Sequence, residues 1–392
     1  MKRRADEKGQ LLRKALIALA VVLAVGVCLF ALKEYRQANA AVAAQAADGG
    51  IVMLPLEIDS GRWNYGHCQG IAVDGKREYI YYSFTTALIK TDLEGNVVGT
   101  VTGLLGHLGC IAFNEEDGRV YGSLEYKNDA IGRGILDKVG HEEAVQDAFY
   151  IAAFDVEKID RRDMDACADG VMTCVYLREV VEDYLAEVAC KGKTVRHRYG
   201  CSGIDGITFA PMPGSTDAKK YLFVSYGVYS DLERDDNDNQ VLLCYDTDGW
   251  AQYEQRLSQQ NMHKSGPEKP DEKLFVYTGN TTYGVQNLEY DAATGNLLMA
   301  VYKGKKPGFE NKPMYIVDGH VAPKVGEDGL KHLQLVPSPS GIGWDYAYGS
   351  TGLASLGDGL FYVSYEGKAG DQYYTKVRLC RYNGTDPLEL VK

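Results

Sequence analysis

From Ile51 onward, short runs of alternating apolar and polar residues are broken by Gly, Asn and Asp, and one arrangement of runs recurs five times. Each copy opens on a turn and a polar-to-apolar run: His67–Val73, His107–Phe113, Cys201–Phe209, Tyr283–Tyr290 and Tyr348–Ser355. Period-two alternation bounded by turn residues marks a half-buried strand. A tight turn follows, as at 116–118, 293–295 and 357–359. The next run is rich in β-formers and ends alike in most copies: Ser83-Phe84, Ser123-Leu124, Ser225-Tyr226, Val301-Tyr302 and Ser364-Tyr365. A third run closes on Asp92, Asp155, Asp246, Asp318 or, in the last copy, Tyr382. A fourth is legible at Val97–Val101, Leu274–Tyr277, His332–Val336 and Leu388–Val391, but not in the second copy.

A single four-stranded sheet cannot bury both its faces, so repeats of roughly 40 to 50 residues are expected to pack radially. The predicted fold class is all-β: a five-bladed β-propeller over 51–392, with blades near 67–104, 107–200, 201–280, 283–337 and 348–391. The run Ile51–Ile58 is expected to pair with the last blade and close the ring, hiding its sheet edges. Two stretches break the rhythm, each between a third and a fourth run. Residues 161–196 put Val171, Val175, Val181, Leu185 and Val188 on one helical face, which predicts a small helical insertion and a surface for a protein partner. Residues 249–271 are polar and read as an exposed loop.

In a propeller, the second-to-third loops and the blade-to-blade connections open on one face. Here those loops are long and polar at Glu125–Ala148, Gly227–Asn239, Lys303–Lys312 and Glu366–Tyr374, so this face is expected to carry function. It gathers Glu125 with Lys127, Lys303 with Lys305 and Glu366 with Lys368. The blade-opening turns add His67, Gln69, His107, Asp205, Gln286, Asn287 and Ser350. Such a ring suits a small polar or glycan-like ligand held by directed hydrogen bonds. The plainer reading is that the charged residues solvate loops and the polar groups satisfy inner-strand backbone.

Glu125, Asp205, Glu366 and His67 are the candidates for acid–base chemistry, with Glu289 ranked below them because it is expected to alternate outward. The alternative function is a calcium-dependent hydrolase or lyase acting on a glycoside or nucleotide. Its metal would come from the stretch 231–239, five acids in nine residues, through Asp231, Asp235, Asn237 and Asp238. No motif requires a cofactor, and calcium is the one candidate. Neither a phosphate-binding loop nor a nucleophile-elbow or zinc-protease motif occurs.

The first fifty residues differ in kind. A basic tail over 1–14 precedes an uncharged apolar run, Ala15–Leu32, and a linker over 33–50. The run is long enough to cross a bilayer core, and its basic flank predicts a cytoplasmic N-terminus, a single-pass signal anchor and an extracytoplasmic propeller. The rival is cleavage near Ala40 and secretion. Setting aside this segment, with 8 basic and 4 acidic side chains, leaves 34 basic and 50 acidic, a net −16 that disfavours nucleic acid. Outside Cys28 there are eight cysteines, an even number that permits disulfides in an exported protein. Cys167 with Cys174 and Cys190 with Cys201 are the local pairs to consider, with buried free thiols as the alternative.

Gly70–Asp74, a Gly-hydrophobic-Ala-Val-Asp strand, and Thr91–Asn96, an Asp-x-x-Gly turn, resemble the blade motifs of extracytoplasmic propellers of the NHL and SMP-30/strictosidine-synthase-like type. The resemblance implies the fold and carries no metal ligands residue by residue. Five blades behind an anchor are also similar to calcium-dependent apyrases. Gln69, Gly109 and Thr351 stand where the apyrase resemblance would place acidic residues.

Overall fold

The computed structural model describes residues 54–382 and 388–392. The tail 1–14, the apolar run 15–32, the linker 33–50, the cleavage site at Ala40 and Ile51–Met53 lie outside the described residues. Among the described residues, no helix is long and apolar enough to cross a membrane.

Five antiparallel sheets follow one another in chain order. Blade I consists of Cys68–Val73, Tyr79–Phe84, Ala87–Asp92 and Val97–Thr102; blade II of His107–Asn114, Arg119–Tyr126, Ala148–Phe154 and Met172–Tyr176. Blade III is built from Cys201–Pro211, Lys220–Val228, Asn239–Tyr245 and Glu272–Tyr277. In blade IV, Thr282–Asp291, Asn296–Tyr302 and Met314–Val317 form the sheet, and 334–336 runs along its outer edge through a Val317–Leu335 bridge. Blade V consists of Leu353–Gly357, Leu360–Ala369 and Gln372–Arg381. Its outer position is shared. Ser60 and Trp63 pair with Thr375 and Tyr373 on one half, and Glu389–Leu390 pairs with Arg381 and Cys380 on the other. The outer position of the last blade is thus filled by chain from both ends of the propeller, on the N-terminal side by Ser60 and Trp63, just beyond the run 51–58 expected to pair there.

The core lies between adjacent blades. Tyr81 and Leu88 of blade I meet Leu108 and Val120 of blade II; Tyr121 and Ile151 meet Ile207 and Val224; Phe223 and Leu242 meet Leu288 and Met299; Leu298 and Ile316 meet Phe361 and Val363. Each such side chain taken from water contributes about 1.5–3 kcal/mol. The recurrent serine has a structural cause. Ser83 Oγ donates to Gly109 O of the next blade at 2.6 Å, Ser123 Oγ to Asp205 O of the next blade at 2.6 Å, and Ser225 Oγ to Gly206 O of its own blade at 2.6 Å. Glycine in the inner strands lets these strands approach. A β-carbon on Gly70 would stand 2.8 Å from the Ile111 amide.

Three expectations are corrected. Residues 161–196 are not one helical insertion. Met172–Tyr176 is the missing fourth strand of blade II, pairing with Ala148–Phe154, and the helix α2 covers only Arg178–Leu185 before a hairpin, Glu187–Cys190 with Lys193–Arg196. Val171 and Val175 fit a helical face by spacing, but β-branched residues in a short run pair equally well as a strand. The helix and hairpin thus belong to the connection from blade II to blade III. The stretch Glu366–Tyr374 is not a loop but the end of a long hairpin, whose pairing continues to Ala369 opposite Gln372. Within Glu125–Ala148 lies a helix, α1 (Ala130–Lys138), capped by Asp129, whose carboxylate accepts from the amides of Ile131 and Gly132. The eight cysteines of the described residues are all free thiols, seven of them buried, so neither local disulfide forms.

Candidate functional site

On the loop-rich face, the candidate residues separate into a closed group and an open group. The closed group is His107, Glu125, Lys127 and Asp205. Glu125 and Lys127 are each 5 % exposed and 2.6 Å apart. The other Glu125 oxygen accepts from Ile204 N of blade III at 3.1 Å, and Lys127 Nζ donates to Ser202 O at 2.7 Å. His107 Nδ1 stands 3.4 Å from Glu125. Burial alone would raise the Glu125 pKa, but Lys127 and His107 overcome it and hold the carboxyl below its usual value. Burial likewise opposes charge on His107 and Lys127, and the adjacent carboxylates raise both. The group is a neutralised, hydrogen-bonded clamp from blade II to blade III. Asp205 sits beside it over Gly109 and accepts from Cys110 N at 3.3 Å. Burial, reinforced by Glu125 against His107, pushes its carboxyl up to about 7.

The open group repeats the same device at the junction of blades V and I, exposed this time. Glu366 accepts from Cys68 N at 3.0 Å, as Glu125 does from Ile204 N, and from His67 Nδ1 at 3.0 Å. His67 is 53 % exposed at its side chain and packs 4.3 Å from the Tyr373 ring, over which Lys368 also lies, at 4.9 Å. Exposed tyrosines also lie on this face. Tyr302 feels the charges of both Glu366 and Asp205 and bonds to Ser350, which places it at the channel mouth. Tyr348 packs 4.2 Å from Tyr365. Tyr283 has a φ of 68°, strained for a non-glycine residue, and 46 % exposure. None of these tyrosines was singled out by the charged-residue pattern. Their signal was the excess of Tyr, 28 against 10 Phe.

Near the axis, Asn287 donates to Gln69 O of blade I at 2.8 Å and to Ser350 O of blade V at 3.0 Å, while Gln286 donates to Tyr283 O at 3.0 Å. Gln69 itself donates to Thr85 at 3.2 Å. These groups hold strand ends, as the plainer reading expects. Lys303 and Lys305 are exposed on the blade IV loop. The stretch 231–239 spreads its acids. Asp231 caps Glu233 N, Asp236 pairs with Arg234, Asp235 meets Cys190 Sγ at 3.2 Å, and Asp238 pairs with the buried Lys306 ammonium. Asn237 donates to Tyr229 O and Asp231 O. Among the described residues, no three His, Cys, Asp or Glu side chains gather as a metal site. In this stretch Lys306 supplies a cation, bonding both Asp238 and Arg234 O.

The opposite face holds a second feature. The first-to-second turns surround a cavity of ≈ 330 Å³ at the end of the channel, and Glu289 lies in its wall. Period-two alternation predicts that this residue points outward. The sheet face opposite Leu288 meets blade V, where the Glu289 carboxylate accepts from Ser355 N at 2.7 Å and borders the cavity.

No family model matches the chain, and no curated protein matches it. The likeness to NHL and SMP-30-type propellers therefore rests on the blade motifs alone. Among solved structures, the chain is similar to a protein of unknown function from Bacteroides caccae, at 9% identity and a TM-score of 0.28, covering 68% of this chain and 81% of that one. It is also similar to a functionally unknown protein from Desulfotomaculum acetoxidans, at 11% identity and a TM-score of 0.32, covering 83% and 69%.

Proposed function

We propose that this is a membrane-anchored, extracytoplasmic propeller whose loop-rich channel mouth binds a small polar or glycan-like ligand. The observation that carries the reading is the exposed Tyr302 beside Glu366, with the His67–Glu366 pair next to it and Tyr348 packed on the neighbouring Tyr365. Tyrosine faces pack against the C–H faces of a sugar, while Glu366, His67 and Lys368 present acceptor and donor groups to hydroxyls. The anchoring half of the proposal rests on the apolar run 15–32 and its basic flank. The rival hydrolase reading would place Glu125 in acid–base work, but that carboxylate is already engaged by the Lys127 ammonium and the Ile204 amide.

The test is a titration of the full-length chain, in detergent, against a panel of neutral and acidic oligosaccharides. Binding is expected for at least one class. Tyr302→Ala and Glu366→Gln are each expected to weaken it by about tenfold or more, from loss of a charged hydrogen bond or a stacking face. No binding across the panel, or binding untouched by both variants, overturns the reading. Alkaline carbonate washing checks the anchor: retention in the membrane fraction is expected, and release with an N-terminus at 41 would indicate cleavage after Ala40.

A further inference from the structure

The cavity on the face opposite the mouth has walls of two kinds. Ile71, Ile111, Phe209 and Leu356 among others supply apolar surface from successive blades, while Glu289, Arg77 and Lys220 supply charge. At ≈ 330 Å³ it lies at the small end of ligand pockets, which run from about 300 to 1,000 Å³. Opposite charges converge on one short stretch of blade V. Glu289, from blade IV, accepts from Ser355 N at 2.7 Å, and Arg77, from blade I, donates to Leu356 O. Blade V lies between those two blades in the ring, so the carboxyl and the guanidinium bracket its inner strand from either side.

Arg77 is held there at a conformational cost. Its φ is 57°, in the left-handed region, within a turn closed by its amide to Asp74 O at 2.9 Å. Strain of this kind persists only where the surrounding structure fixes the conformation, here the turn and the bond to blade V. One of its five N–H donors is spent on Leu356 O, a small share of what a guanidinium offers. Lys220 enters from blade III and pairs at 3.2 Å with the exposed Glu115.

We propose that this cavity is a binding site for a small zwitterion, an apolar α-amino acid, with its ammonium on Glu289, its carboxylate on Arg77 and Lys220, and its side chain against the apolar wall. The site is distinct from the channel mouth and does not depend on it. Burial pushes the Glu289 carboxyl up to about 8 in the unliganded protein, with Asp291 adding to the rise and Ser355 N, Lys220 and Thr208 acting against it. Asp74, Arg77 and Glu115 are the remaining charged groups of the wall. Asp74 spends one oxygen on the amides of Glu78 and Tyr79. A bound ammonium requires Glu289 ionised, so binding releases a proton below about pH 8, and affinity rises as pH climbs toward that value.

The experiment is calorimetry on the full-length chain in detergent with L-leucine, isoamylamine (no carboxylate) and 4-methylpentanoate (no amine). Leucine is expected to bind at least about tenfold more tightly than either analogue. Glu289→Gln, which keeps an acceptor for Ser355 N, and Arg77→Gly, which relieves the left-handed strain, are each expected to cost at least about tenfold. The wild-type affinity is expected to rise from pH 6 to pH 8. Glu366→Gln, at the mouth, is expected to change nothing. Absence of leucine binding, equal binding of the analogues, indifference to both cavity variants, or loss of leucine binding in Glu366→Gln would each overturn the proposal. Oligosaccharide binding at the mouth is read separately, so failure at one site does not decide the other.

Discussion

Replacing Glu125 by Gln tests whether the closed group is a structural clamp. Its carboxylate lies 2.6 Å from Lys127 Nζ, with both side chains 5 % exposed. At an effective dielectric near 20, unit charges at that distance attract by about 6 kcal/mol, and desolvation of the two groups offsets much of this. Removing one partner from such a pair costs about 3–5 kcal/mol, because the other charge stays buried. Gln retains an acceptor for Ile204 N, and Lys127 retains Ser202 O and, at 3.8 Å, Asp129, so the cost should fall near about 3 kcal/mol. The assay is urea unfolding of Glu125→Gln, Lys127→Met and the double variant. The single variants should each lose about 3 kcal/mol, and the double variant should recover about 2 kcal/mol or more of their summed loss. A loss under about 1 kcal/mol with no coupling would refute the clamp and return Glu125 to the pool of ligand or catalytic groups.

Other expectations are equally direct. Asp205 carries a folded-state pKa near 7, above its ordinary value, so the folded chain binds more protons than the unfolded one between about pH 4 and 7. Stability from this group is present at low pH and lost as pH rises through that window, and Asp205→Asn should flatten that part of a stability-versus-pH curve. Trp63, 8 % exposed and donating from Nε1 to Ser60 O at 2.7 Å, fastens the closing segment. Trp63→Ala should cost about 3–5 kcal/mol in urea unfolding, and an effect below about 1 kcal/mol would mean the ring closes without it. Burial pushes the Cys110 thiol up to about 12 and Cys167, the one half-buried cysteine of the described set, up to about 11. Iodoacetamide on the native protein should therefore label Cys167 first and slowly, and the others only after unfolding, as mass spectrometry of the peptides would show.

The repeat was legible because each strand type repeats its own chemistry. The Ser of the second strand has to reach an inner strand, and the glycines of the inner strands have to let neighbours approach, so both recur at a fixed place. Where the fourth strand of blade II runs straight into a helix and hairpin, the spacing of Val171 and Val175 fits a helical face and carries no information on the strand that 172–176 pairs with. The grouping of His107, Glu125, Lys127 and Asp205 was visible as residues but not as an ion-paired clamp. Whether a carboxylate is free or saturated depends on distances across a blade boundary. Glu289 shows the same limit. Alternation says that a residue leaves one sheet face, not whether solvent or the next blade lies there.

The most direct test of the account is oligosaccharide binding by the full-length chain, measured for wild type, Tyr302→Ala and Glu125→Gln together. The account predicts a bound class that weakens by about tenfold or more in Tyr302→Ala and is unchanged per folded molecule in Glu125→Gln. Binding abolished by Glu125→Gln with folding intact, or absent in wild type, would contradict it.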